Sequence, residues 1–181
     1  MSSLPSDITV PGRPEVHQVS AGVYAYIQPD RFDRLDPGAF RAVLRDLIFN
    51  GGTPFLLMGS VTGAVQVLEE VVAPLGARIT VPGHGPVFEG SGPLEATLDY
   101  LRFVLDVATR AQAAGVSPLD AARDTGLGRF AGWADPERIV GNLHRACAEL
   151  AGTPRGGPID VLAALADMVA YNGGAPLTCL A

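Results

Sequence analysis

Residues 60–87 read SVTGAVQVLEEVVAPLGARITVPGHGPV, and the fold class turns on this stretch. Ser60 is a good helix N-cap. Behind it Val61, Ala64, Val65, Leu68 and Val72 recur on one face, so the spacing predicts a helix over Val61–Ala73. Pro74 and Gly76 end it. Ala77–Val81 is short and rich in β-branched residues, which predicts a buried strand stopped by Pro82-Gly83. A helix feeding a strand, with a Gly/Pro-rich loop at the strand's carboxyl end, is where α/β folds collect their ligands.

Upstream, Val16–Gln28 has two β-branched runs broken by Ser20-Ala21-Gly22, which predicts a β-hairpin. Met1–Pro14 reads as a loose tail and Pro29–Gly38 as a turn-rich connector. Phe40–Phe49 fits a helix by its apolar spacing and a strand by its paired apolar residues, and period alone does not choose. Downstream the pattern is helical: Pro93–Ala114, with Leu94, Leu98, Leu101, Val104, Leu105 and Ala108 on one side, then a helix capped by Ser117 with Pro118 in its first turn. Asp135-Pro136 opens a helix over Glu137–Leu150, and Ile159–Ala170 forms the last. The expected organisation is a tail over 1–15, an α/β core over 16–92 and a helical part over 93–181.

Composition bounds the function. The chain has 181 residues, 48% hydrophobic and 18% charged, with net charge −6. All 13 basic residues are Arg, and they form no basic stripe of the kind duplex nucleic acid requires. No apolar run approaches the ~20 residues that span a bilayer. The opening residues lack the basic-then-apolar order of a secretory signal. Two cysteines, Cys147 and Cys179, make no disulfide framework and read as buried small hydrophobes. The expectation is a cytoplasmic globular protein with neither nucleic-acid nor membrane partners.

His84, between two glycines each beside a proline, leads the candidate chemistry. Glycine on both sides leaves the imidazole unshielded to move a proton or ligate a metal. Asp46 is second, since a carboxylate inside an apolar run is costly unless paired or bound to a cation. Arg45 next door could equally pair with it.

Three strings, AGVYAYIQPD (21–30), DLIFNGGTPFLLMGSVTGA (46–64) and ITVPGHGPV (79–87), resemble the metallo-β-lactamase superfamily, αββα hydrolases with one or two zinc ions. YLRFVLDVA (100–108), SPLDAAR (117–123), FAGWADPERIVGNLHRA (130–146) and DMVAYNGGAPLTCLA (167–181) resemble that superfamily's cyclase/thioesterase branch of aromatic polyketide biosynthesis. The family's H-x-H-x-D-H motif, which carries the first zinc ligands, has no counterpart, because the connector after Asp30 leads straight to Arg45-Asp46. Residue by residue, Asp46 matches the metal-bridging carboxylate and His84 the last metal-binding His. Two ligands fall short of the three that a catalytic zinc takes from protein. The resemblance therefore implies an α/β fold with a truncated metallo-β-lactamase-like αββα core, an all-helical C-terminal part and a degraded metal site. Zinc would be held by Asp46 and His84 only if the site were rebuilt.

The implied function is cyclase/thioesterase-like work on a polyketide or acyl-carrier-bound intermediate, by aldol ring closure or chain release. His84 and Asp46 are then the catalytic candidates, and Asn50, Gly51, Gly52 and Thr53 the substrate-binding loop, whose backbone N–H groups would stabilise an oxyanion. Trp133, in a Gly-broken loop between helices, is a candidate pocket wall. Two other readings stand beside this one. One is a non-catalytic binding or auxiliary protein of such a pathway. The other is a zinc-dependent hydrolase whose site is completed across a homodimer by two copies of Asp46 and His84. His17 and His144 read as surface or core-edge residues.

Overall fold

The computed structural model describes residues 15–20, 23–27 and 41–177, with side chains from Leu47 onward. The Met1–Pro14 tail, the Pro29–Gly38 connector and Cys179 lie outside the described residues. The hairpin forms as expected: β1 (Glu15–Ser20) and β2 (Val23–Ile27) pair antiparallel, with a bulge between Gln18 and Ser20. The ambiguous stretch is a strand, β3 (Arg41–Phe49). It runs parallel to β4 (Ile79–His84), and β5 (Phe88–Glu89) adds antiparallel on the other side, in the order β3-β4-β5.

Parallel neighbours need a crossover, and α1 (Val61–Val67) supplies it. The Ser60 hydroxyl caps α1, accepting from Gly63 N–H at 2.9 Å. The helical run then loosens into a π-turn over Leu68–Val72 and tightens into a 3₁₀ turn over Ala73–Leu75, so the expected single helix is one run of three pitches. β4 also differs from expectation, because it passes through Pro82-Gly83 and ends on His84. β5 pairs only with Ile79 and Thr80, which leaves β4 an edge strand at Pro82, where a missing donor is tolerated.

The rest is helical: α2 (Gly92–Ala114), α3 (Pro118–Asp124), α4 (Arg138–Leu150) and α5 (Val161–Tyr171). Ser117 caps α3 by accepting from Asp120 N–H at 3.1 Å, and Asp160 caps α5 by accepting from Ala163 N–H at 3.0 Å. The described residues form a mixed α/β protein, mostly helical, with five α-helices and a three-stranded sheet beside the hairpin. One buried cluster joins Ile48, Val61 and Leu68 to Leu101, Val104, Ile139, Leu143 and Met168. The front and back halves thus share a core. No helix among the described residues is long and apolar enough to cross a membrane.

Candidate functional site

The carboxyl ends of β3 and β4 lie side by side, with Phe49 opposite His84. Just before that pair the register slips: residues 45–48 of β3 span the gap that Gly83 alone spans in β4. Asp46 lies in this bulge, and bulges re-aim side chains beside functional sites. Its carboxylate is outside the described side chains. The half-buried His84 imidazole stacks on the Phe49 ring, centroids 4.6 Å apart and planes 8° from parallel.

Asn50 ties the two strand ends together. Its backbone N–H donates to the His84 carbonyl at 2.9 Å and its side-chain Nδ2 to the Pro86 carbonyl at 2.8 Å. Gly85 makes this approach possible. It has φ +90°, and a Cβ there would sit 2.1 Å from the Asn50 carbonyl oxygen. The glycine after His84 is therefore fixed by a backbone contact on its far side, beyond what unshielding the imidazole would require.

From Gly51, itself at φ +91°, the chain crosses to the loop before α4. Ala134 N–H donates to the Gly51 carbonyl at 3.2 Å, and Thr53 N–H donates to the Ala134 carbonyl at 3.0 Å. From there α4 holds it with one polar row, buried at Arg138, Asn142 and Arg145. Arg138 Nη1 donates to the Thr53 carbonyl at 2.9 Å. Asn142 donates through Nδ2 to the Pro54 carbonyl at 2.7 Å and to the Tyr100 hydroxyl at 3.2 Å, and accepts from Leu56 N–H at 2.8 Å. Arg145 donates through Nε and Nη2 to the Leu57 carbonyl at 3.0 and 2.8 Å. Glu149 Oε2 accepts from the Thr62 N–H and hydroxyl at 3.0 and 2.7 Å.

A segment outside helix and sheet has no ladder of its own, so its carbonyls and amides must find partners elsewhere. The α4 row supplies them, with guanidinium donors making the stronger, charge-assisted kind of bond. Arg138 is in turn ion-paired at 2.8 Å to Asp135, both buried, and Asp135 adopts φ +54°, unusual for a residue with a side chain. Sequence reasoning missed this row. Its signal was the spacing 138, 142, 145, 149, which puts four polar residues on one helical face.

The backbone N–H groups of the Asn50–Thr53 loop divide into two kinds. Those of Asn50 and Thr53 are spent on His84 and Ala134. The Gly51 and Gly52 amides have no protein acceptor among the described residues. Trp133 is half-buried in an aromatic cluster, its ring 5.5 Å from Tyr100 and 5.0 Å from Phe130. Burial pushes the Tyr100 hydroxyl well above the ordinary tyrosine range, only partly offset by its bond to Asn142. His144 Nε2 pairs with Asp167 at 2.8 Å, joining α4 to α5. Burial also raises the half-buried Cys147 thiol.

No three His, Cys, Asp or Glu side chains gather as a metal-binding group among the described residues. Compared with known proteins, the chain matches no family model, and no curated protein matches it.

Proposed function

We propose that this chain is a shortened relative of the metallo-β-lactamase superfamily, on its aromatic polyketide cyclase/thioesterase branch, and that it closes a ring in a poly-β-ketone by intramolecular aldol chemistry. The observation that carries the reading is the junction of the two strings that resemble the family. His84 and the Asn50–Thr53 loop meet at the carboxyl ends of adjacent parallel strands, the usual place for an α/β site.

The methylene between two carbonyls of a poly-β-ketone is acidic enough for imidazole to deprotonate. His84 takes that proton. The enolate carbon then attacks a ketone further along the chain, forming the carbon–carbon bond as the carbonyl π pair moves to oxygen. The alkoxide recovers the proton from the imidazolium, and loss of that hydroxyl with a neighbouring α-proton, as water, leaves a double bond in the closed ring. The Gly51 and Gly52 amides are the donors for the oxyanion. Stacking on Phe49 fixes the plane of the base, so its nitrogens are presented in one orientation. Holding the chain in ring-closing geometry supplies a large part of the rate. None of these steps uses a metal.

The test is conversion of a linear poly-β-ketone thioester by the wild-type protein and by His84→Ala, with products separated by chromatography and identified by mass. The expected result is a cyclised product that falls at least 100-fold with His84→Ala, the scale of a lost general base. Equal product profiles would remove His84 from the mechanism. Micromolar binding without turnover would leave the auxiliary-protein reading, and absence of both would overturn the assignment to polyketides.

A further inference from the structure

A second region of the molecule, sharing no residue with the His84 site, encloses a cavity of about 360 Å³. That volume lies inside the span of small-molecule sites, about 300–1,000 Å³. It opens between the end of the α1 run, the turn through Gly76, the start of β4 and the start of α2. The walls are aliphatic, from Ile48, Val72, Ala73, Ala77 and Leu94, and no lining residue is aromatic.

One end is polar. Thr80 lines the cavity and is 5% exposed, yet its hydroxyl has no hydrogen-bond partner among the described residues. The hydroxyl is therefore offered to the cavity, where an acceptor brought by a ligand can take the bond that water otherwise makes. At the rim α2 begins, a helix of 23 residues whose N-cap, Ser91, makes no side-chain cap bond. In its first turn Pro93 has no N–H and the Glu95 N–H donates to the Ser91 carbonyl at 2.9 Å, so the Gly92 and Leu94 amides are the ones without an intrahelical acceptor, and the helix dipole favours an anion there. The Ser91 hydroxyl donates to Glu95 at 2.7 Å, which holds that carboxylate against its own helix. Arg78 adds a cation to the same lining.

We infer that this cavity binds a small aliphatic carboxylate, its chain against Ile48, Val72 and Leu94, and its head on the Thr80 hydroxyl and the Gly92 and Leu94 amides of α2. The aliphatic walls require a hydrocarbon body, so an inorganic anion satisfies only half of the site. The polar end requires a charged acceptor, so a neutral alcohol satisfies only the other half.

The experiment titrates the full chain with octanoate by calorimetry, with octanol and inorganic phosphate as comparators, and maps amide shifts by NMR. The expected result is saturable one-site binding of octanoate, with octanol and phosphate at least about tenfold weaker, the scale of one lost charge-assisted bond. Shifts should centre on Thr80, Leu94 and Val72, and Thr80→Val, which keeps shape and removes the hydroxyl, should weaken octanoate about tenfold. No saturation at millimolar octanoate, equal binding of octanol, shifts centred elsewhere or an unaffected Thr80→Val would each overturn the inference. If Thr80→Val fails to fold by circular dichroism, the wild-type titrations and shift map decide alone.

Discussion

Asn142 is fully buried on α4 and makes three hydrogen bonds, to Pro54 O, Leu56 N and the Tyr100 hydroxyl. Asn142→Ala removes all three. At a net ~1 kcal/mol each the cost is about 3 kcal/mol, rising toward ~5 kcal/mol where water does not reach the abandoned backbone groups. Tyr100→Phe removes only the longest of the three, and Asn142 Nδ2 keeps Pro54, so that substitution costs about 1 kcal/mol. The assay is urea unfolding followed by fluorescence. Trp133 is the sole tryptophan and lies 5.5 Å from Tyr100, so the probe sits against the perturbed region. Free energies come from the shift in midpoint at unchanged denaturant slope. If Asn142→Ala costs less than ~1 kcal/mol, or no more than Tyr100→Phe, the polar row of α4 is not what holds the loop.

Three further outcomes follow from the same geometry. Gly85→Ala forces φ +90° on a side-chain-bearing residue and drives its Cβ into Asn50. The substitution should cost at least ~1–2 kcal/mol and speed amide exchange at Asn50, and an unchanged urea midpoint would refute the contact. Arg138→Met takes the guanidinium away from the buried Asp135 carboxylate and should cost about 3–5 kcal/mol, with Asp135→Asn in the same chain recovering part of it; no recovery would mean that the pair is not the cause. Tyr100 is held above its ordinary value of 10.0 by burial, so above that pH the unfolded chain releases a proton the folded one keeps. Stability should fall as pH rises past about 10, and more steeply in wild type than in Tyr100→Phe; equal slopes in the two proteins would sink this.

Much of the fold was legible where local chemistry dictates structure. Ser60, Ser117 and Pro118 mark helix starts whatever packs on them, and the long apolar stripe of α2 admits one period. Arg41–Phe49 was not legible, because its apolar pairs Val43-Leu44 and Leu47-Ile48 break the alternation of a one-sided strand and fit a helical spacing equally well. Pro82 read as a strand stop because a sequence does not display that β5 ends opposite Thr80. Of the candidate site, the sequence placed His84 and Asn50–Thr53 as separate strings, and the register of β3 on β4 is what brings them together. The row Arg138, Asn142, Arg145 and Glu149 escaped notice for a different reason. Polar residues on one helical face normally signal solvent, and here they face a strand-like segment that needs donors and acceptors.

That row also sets an order of events during synthesis. The bonds from Arg138 and Asn142 to the Thr53–Leu56 segment close over 85 to 88 residues of chain. At ribosomal speeds of about 5–20 residues per second, the segment emerges roughly 4 to 17 seconds before its partners exist. During that interval α1 and then β4 emerge to join β3, while the backbone beyond Asn50 must be hydrated or guarded by a chaperone. The His84 end of the sheet is thus finished only when α4 arrives, and a nascent chain halted before Arg138 carries His84 without the scaffold that shapes the loop beside it.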